Sequence, residues 1–391
     1  MKTVLEASTE TGQQSSFRLP SNRLVSLDVL RGITIAFMIL VNDGERGSYG
    51  ALQHANWNGW TPTDLVFPTF LFLVGITIVF STESRLARGA SKSSLIAHNF
   101  RRAGILFLLG LVVNGFPYFH LGTLRIYGVL QRIAICFLIA SLLYLWDNRP
   151  ASKIVIVVAA LIGYWVLLRW VPVPGCGMPG RDVPFLDNTC NLTSYIDQHV
   201  FSAARLYHRV RDPEGLLSDL PSVATTLLGM LTAMWLRSKH TPARKAWGML
   251  AAGIVGVFLG LLWGHWFPIN KNLWTSTFVL FAAGCSLIGL AICYWAIDIK
   301  NWKKGWTYIW IVFGMNAIAA YVFSELFASV ISQYHLHTAT GSVRLKAYVF
   351  DHFFARIPSP HLAALTYSIT TVAISFILVL ILYRKKIFLK V

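Results

Sequence analysis

The stretch LVSLDVLRGITIAFMILVN, residues 24–42, carries only two charged side chains, Asp28 and Arg31. A run of this length and apolarity is what a helix needs to cross a hydrocarbon layer of about 30 Å. Comparable stretches recur at 64–80, 103–118, 126–146, 153–171, 221–237, 246–267, 276–297, 306–328 and 362–383. Composition points the same way, since the 391 residues are 55% hydrophobic and 13% charged, where a soluble domain carries roughly 25% charge. An ordinary soluble enzyme is thereby excluded, and 14 Trp, 14 Tyr and 25 Phe exclude a disordered or fibrous chain. The expected fold class is all-α, a polytopic integral membrane helix bundle of about ten transmembrane helices embedded in a lipid bilayer.

Working outward from this first span, the placement of charge sets the topology. Lys and Arg number 34 against 17 Asp and Glu, a net +17, which in a soluble protein would suggest nucleic acid. In a membrane protein the excess belongs in cytoplasmic loops. With the N-terminus inside, 22 of the 34 fall at inner ends, in groups such as Arg85, Arg88, Lys92, Arg101 and Arg102, or Arg237, Lys239, Arg244 and Lys245. The expectation is therefore no nucleic-acid partner, both termini cytoplasmic, and one long external loop at about 172–220. Residues 1–22 read as a cytoplasmic tail without a cleavable signal peptide, and 23–391 as a single transmembrane domain. Cys136, Cys285 and Cys293 read as small buried hydrophobes. Cys176 and Cys190 share the external loop, where a disulfide is left open, and no spacing suggests a metal.

Polar groups at membrane depth are costly, so each is a candidate for function. Asp28, Arg31, Ile35, Met38 and Asn42 follow helical spacing and share one face of the first span. Asp28 and Arg31 fit a structural ion pair at its inner end. After that span, His54-Ala55-Asn56-Trp57-Asn58-Gly59-Trp60-Thr61 crowds amides and tryptophans around one histidine. An interfacial aromatic belt followed by a Thr61-Pro62 helix start accounts for Trp57, Trp60, Thr61 and Pro62, but it leaves His54 unexplained. Histidine suits proton transfer near neutrality, and a nearby amide can serve a developing oxyanion.

These residues also carry a resemblance. RLVSLDVLRG at 23–32, Val41-Asn42, HANWNGWT at 54–61, DLVFP at 64–68, GVLQR at 128–132, DPEGLL at 212–217 and NKNLW at 270–274 look like the heparan-α-glucosaminide N-acetyltransferase family and its bacterial relatives. The resemblance implies transfer of acetyl from cytosolic acetyl-CoA, as co-substrate, across the membrane to the amino group of a glucosamine-type acceptor, with no metal. It places the family's essential histidine at His54, as base or acetyl acceptor, and its active-site asparagine at Asn42, read here as oxyanion donor. Asn56, Trp57, Asn58 and Asp64 are the candidates for holding the acceptor. CoA phosphates call for basic partners. Arg31, Arg101 and Arg102 are the inner candidates, with Gln131, Arg132, Lys271 and Asn316 deeper in the bundle. The family's lysosomal member carries a luminal domain and a further span ahead of this block. The short hydrophilic segment before it here leads to the expectation of a bacterial inner membrane.

Two rivals stand beside this reading: a permease for amino sugars or chitooligosaccharides, and an O-acyltransferase of a periplasmic glycan using the same His54. Against the permease, no inverted repeat is visible. A homodimer is left open, and so is a re-entrant helix within 331–361.

Overall fold

The structure is a computed structural model that describes residues 24–42, 44, 47–207, 209–303, 305–338 and 341–389. The expected tail 1–22, together with Arg23, Asp43, Glu45, Arg46, Lys304 and Lys390, lies outside the described residues.

Thirteen α-helices are described: α1 Val25–Asn42, α2 Val66–Leu86, α3 Lys92–Gly115, α4 Val129–Trp146, α5 Pro150–Trp170, α6 Leu192–Val200, α7 Asp219–Arg237, α8 Pro242–Trp263, α9 Ser276–Cys293, α10 Trp306–Met315, α11 Ala317–Gln333, α12 Leu345–Val349 and α13 Pro360–Arg384. Local chemistry sets several starts. Ser91, Thr241 and Ser359 accept from backbone N–H groups of α3, α8 and α13, and Pro150, Pro242 and Pro360 occupy first-turn positions that need no donor.

Each of the ten expected stretches carries helix, but the count of spans changes. Among the described residues, eight helices are long and apolar enough to cross a membrane, or nine if one bent pair is counted as a span. That pair corrects the straight span expected at 306–328: α10 and α11 meet at Asn316 with a bend of 79°. The stretch expected at 221–237 is α7, a helix of 19 residues that is not among those eight and that carries Ser222, Thr225, Thr226 and Thr232. Their hydroxyls donate to carbonyls four residues back, so the polarity is satisfied within the helix and α7 is buried by its neighbours.

Burial separates two layers. The counted spans α1, α2, α4 and α9 are 61–67% buried, whereas α3, α5, α8 and α13 are 22–33% buried and present apolar faces outward. Inner helices approach closely where glycine allows it. A Cβ on Gly75 of α2 would meet the Thr226 carbonyl of α7 at 1.9 Å, and one on Gly229 of α7 would meet the Phe72 carbonyl of α2 at 1.9 Å.

The all-α expectation needs one small amendment. His335–Thr338 (β1) and Gly341–Arg344 (β2) form an antiparallel hairpin, followed by α12 and a π-helical turn at Phe350–Phe354. This occupies the segment in which a re-entrant helix was left open. The long 172–220 segment folds over the bundle end that also carries His54. Cys176 and Cys190 are disulfide-bonded within it, and the Leu186 carbonyl accepts from Trp57 Nε1 at 2.7 Å.

Candidate active site

His54 lies on the connection between α1 and α2, and the start of α2 positions it. Asp64, 1% exposed, turns Oδ2 to the backbone N–H groups of Ala55 at 3.1 Å and Thr61 at 3.0 Å. Its Oδ1 lies 2.7 Å from His54 Nδ1. A carboxylate only accepts, so Nδ1 carries a proton and donates to Asp64, leaving Nε2 as the ring nitrogen turned away from that acid. The His54 side chain is 49% exposed, so a buried acid orients an imidazole that faces open space.

A second loop brings in Lys271. Asn270 shapes the turn between α8 and α9: its Oδ1 accepts from Leu273 N–H at 3.0 Å, its Nδ2 donates to Asn58 Oδ1 at 3.1 Å, and the neighbouring Ile269 carbonyl accepts from Gly59 N–H at 2.8 Å. The His54 loop and the Lys271 loop are thus stitched together. Lys271 Nζ lies 3.0 Å from His54 Nδ1, 3.4 Å from Nε2 and 3.6 Å from Asp64 Oδ1. Burial pushes the ammonium pKa below that of an ordinary lysine, against the opposing pull of Asp64 and Glu214.

The charges around this pair are mostly matched. Arg125 donates to both carboxylate oxygens of Asp212, through Nε at 2.7 Å and through its terminal nitrogen, and to Glu214 at 2.5 Å. Burial works against the Asp212 carboxylate, but the hydrogen bonds and charge of Arg125 outweigh it and hold its pKa below the usual range. The loop carrying Arg125 is tied to α3 by Asn114, which donates to the Arg125 and Tyr127 carbonyls. Asn42, at the last residue of α1, donates from Nδ2 to Glu325 Oε1 of α11 at 2.9 Å.

The opposite end of α2 is built differently. A cavity of about 300 Å³ follows Phe70, Leu73, Val74, Thr77, Ser81 and Arg85, positions that share one face of the helix. Arg31 of α1 and His98 and Arg102 of α3 complete a basic wall. The bend between α10 and α11 makes room for it, since Gly314, Met315, Ala317 and Ile318 line it where a straight helix would continue. Arg102 lies over the Phe137 ring at 4.5 Å, and its buried Nε has no hydrogen-bond partner among the described residues.

Residues 23–262 match the family described as "Heparan-alpha-glucosaminide N-acetyltransferase, catalytic". The chain belongs to this family. It is 30% identical to the human protein named heparan-alpha-glucosaminide N-acetyltransferase, over 97% of this chain and 62% of the relative, and 29% identical to the mouse protein of that name over the same shares. The chain thus spans about 62% of the length of the curated relatives it matches. The matched region of the N-acetyltransferase family contains His54, Asp64 and the basic cavity residues of α1 to α3, while Lys271 and Glu325 follow it.

Within this N-acetyltransferase family member, the structure regroups the residues singled out from sequence. His54, Asp64 and Lys271 come together. Lys271, expected to bind CoA, stands beside His54 and Asp64, and Asp64, expected to hold the acceptor, is sealed beneath the imidazole. Asn58 pairs with Asn270, Trp57 hydrogen-bonds Leu186 and lies under Arg211 at 4.5 Å, and Asn56 is exposed on the same loop. Arg31 and Arg102 line the basic cavity, and Arg31 also lies 3.5 Å from Asp28; Arg101 is exposed and does not line it.

Three deeper candidates for CoA do not themselves line this cavity, although Asn316 borders it between Met315 and Ala317. Arg132 is fully buried and donates to Asp219, Ser218 and the Gly215 carbonyl, tying α4 to the start of α7. Gln131 is buried against Gly110. Asn316 spends its amide on the Ile387 carbonyl and Leu389 N–H, holding the C-terminal segment against the cavity. Sequence reasoning passed over Glu325, although a lone carboxylate inside an apolar stretch was a visible signal. It also read Arg85 only as topology and gave His98 no part, because their shared cavity depends on packing between α2 and α3.

Proposed function

We propose that the protein is a transmembrane acetyltransferase that moves an acetyl group from cytosolic acetyl-CoA to the amino group of a glucosamine-type sugar at the opposite face. The observation that carries this is the His54–Asp64 pair, a half-exposed imidazole with its Nδ1 fixed by a buried carboxylate, at one end of a helix whose other end lines a basic cavity. The 21 residues of α2 rise about 30 Å, the thickness of the hydrocarbon layer, so one helix joins both ends of the transfer. The loop-charge bias supports placing the basic cavity and both termini on the cytoplasmic side.

The cavity fits the co-substrate. Arg85, His98 and Arg102 carry no ion pair among the described residues, and the partnerless Nε of Arg102 suits an anionic oxygen. Arg31, Arg85, His98 and Arg102 would hold the phosphates, and the apolar face from Thr77 to Phe70 leads the pantetheine arm towards His54.

At the acceptor end, His54 Nε2 takes a proton from the sugar amine as its nitrogen lone pair forms the C–N bond to the acetyl carbonyl carbon. The C–S electron pair leaves with the CoA sulfur, which takes the proton back from His54. The extra proton of the free ammonium form passes to solvent. Lys271 and the remaining N–H of Asn42 are the donors for the oxyanion, each worth about 3 kcal/mol if they act as such donors commonly do.

The test is to place purified protein in lipid vesicles with labelled acetyl-CoA and glucosamine and to score acetylated sugar. Product from wild type and none from His54→Ala supports the proposal. Sugar uptake without thioester consumption would replace it with a permease. Label retained on the wild type without acceptor, and absent from His54→Ala, would make His54 the acetyl carrier and not the base.

A further inference from the structure

Glu325 is the only charged residue of α11. It lies on the second limb of the bent span, partly buried, and its one direct polar partner among the described residues is the neutral amide of Asn42. Its second oxygen, Oε2, accepts no hydrogen bond there. A carboxylate within an apolar span that forms no ion pair among the described residues and keeps one oxygen free is suited to a cationic ligand.

The other carboxylates of this end are occupied or sealed. Asp64 serves His54, Ala55 and Thr61, and Arg125 saturates Asp212 and Glu214. Asp197 is fully buried against Gly215. Arg125 lies within electrostatic reach of Glu325 but forms no ion pair with it.

Glu325 reaches the histidine's end of the bundle through Asn42, the last residue of α1, from which the chain runs on to His54. Tyr321, one turn earlier on α11, lies within electrostatic reach of Glu325, Glu214 and Arg125. Glu214 is within reach of Lys271, and Lys271 touches His54.

Resting on the acetyltransferase reading above, we propose that Glu325 is the acceptor's ammonium site, the residue that selects a primary amine over a hydroxyl. An amino sugar reaches the protein largely as a cation, and a carboxylate whose own cation is missing binds that cation preferentially. The neutral hydroxyl analogue gains nothing from the same charge. The pair with Asn42 would then set the amine beside the proposed oxyanion donor.

Glu325→Gln separates charge from geometry, because the glutamine oxygen still accepts from Asn42 while the negative charge is gone. Binding of glucosamine and of glucose to the detergent-solubilised full chain is measured by calorimetry for wild type and variant. Wild type should favour glucosamine, and Glu325→Gln should lose about ten- to a hundredfold of that preference, the range of a charged hydrogen bond, with glucose affinity unchanged. A preference that persists in the variant, or a wild type that binds both sugars alike, overturns the assignment. Should the glutamine variant fail to fold, Glu325→Asp, which withdraws the charge by one methylene, must weaken glucosamine more than glucose; equal losses overturn it. A wild type that binds glucosamine through Glu325 yet never acetylates it would sink the acetyltransferase reading and leave the ammonium site standing.

Discussion

At one end of α2, Asp64 is wrapped by His54, Lys271 and two backbone N–H groups, and nearby Arg125 is matched by Asp212 and Glu214. At the other end, Arg85, His98 and Arg102 line a cavity without a carboxylate paired to any of them among the described residues. The first arrangement is internally compensated and holds one imidazole in a fixed orientation. The second gathers basic side chains that, Arg31 apart, no carboxylate among the described residues neutralises. A site for chemistry demands preorganised partners, whereas a site for a polyanion works best with its cations uncommitted.

Five measurements break or sharpen this contrast. The largest effect belongs to His54→Ala, which should lower acetylated product by about 10²–10⁴-fold in vesicles while acetyl-CoA affinity is unchanged. Loss of acetyl-CoA affinity instead would mean that the two ends are not separate. Asp64→Asn removes the charge that fixes the imidazole, and kcat should drop by about a hundredfold with both KM values kept; a pure KM effect would assign Asp64 to substrate contact.

Arg85→Ala and Arg102→Ala should each raise the acetyl-CoA KM about tenfold at constant kcat, with the difference shrinking as ionic strength rises. A fall in kcat without a KM change would erase the distinction between the ends. Lys271 supplies a pH signature. Burial lowers its pKa, so the ammonium is lost at a lower pH than in an ordinary lysine, and the alkaline limb of the kcat profile should fall early. Lys271→Arg should move that limb upward, and an unmoved limb would remove Lys271 from the chemistry.

The smallest effect concerns the cap on the His54 side. Burial raises the Asp197 carboxyl to about 7, with Asp212 adding to it and hydrogen bonds opposing it. The folded protein therefore holds a proton that the unfolded chain has released, between the ordinary carboxylate value of 3.8 and about 7. Stability from this group is present below that window and declines as pH rises through it. Asp197→Asn should raise Tm modestly above pH 7 and leave it unchanged near pH 4; a gain at acidic pH would contradict the burial.

Much of the membrane architecture was legible because apolar length and flanking charge are one-dimensional properties. One misreading came from relying on that one-dimensional pattern. The stretch 306–328 looked continuous because its hydropathy does not falter at Asn316, yet that residue's amide bonds to the C-terminal segment and the helix turns there by 79°. The stretch 221–237 does form one helix, α7, and its hydroxyls go with enclosure by protein on most sides. His54 stood out because a titratable group surrounded by amides has no structural explanation at the membrane surface. Lys271 was visible but misplaced, since 217 residues separate it from His54, and nothing local indicates which end of the bundle its loop will join.

The sequence by itself determined the solvent, the helical class, the family resemblance and the candidacy of His54 and Asn42. Those properties follow from composition, from period and from a contiguous motif. Tertiary structure alone decided that Asp64 orients His54 and that Lys271 joins them. It also decided that Arg85 and His98 share a cavity with Arg31 and Arg102, that Arg132 is a tie between helices, and that Glu325 faces Asn42. The physical reason is range: hydrophobicity and helical period act over a few residues, whereas the partner of a buried charge is chosen by which helices pack together.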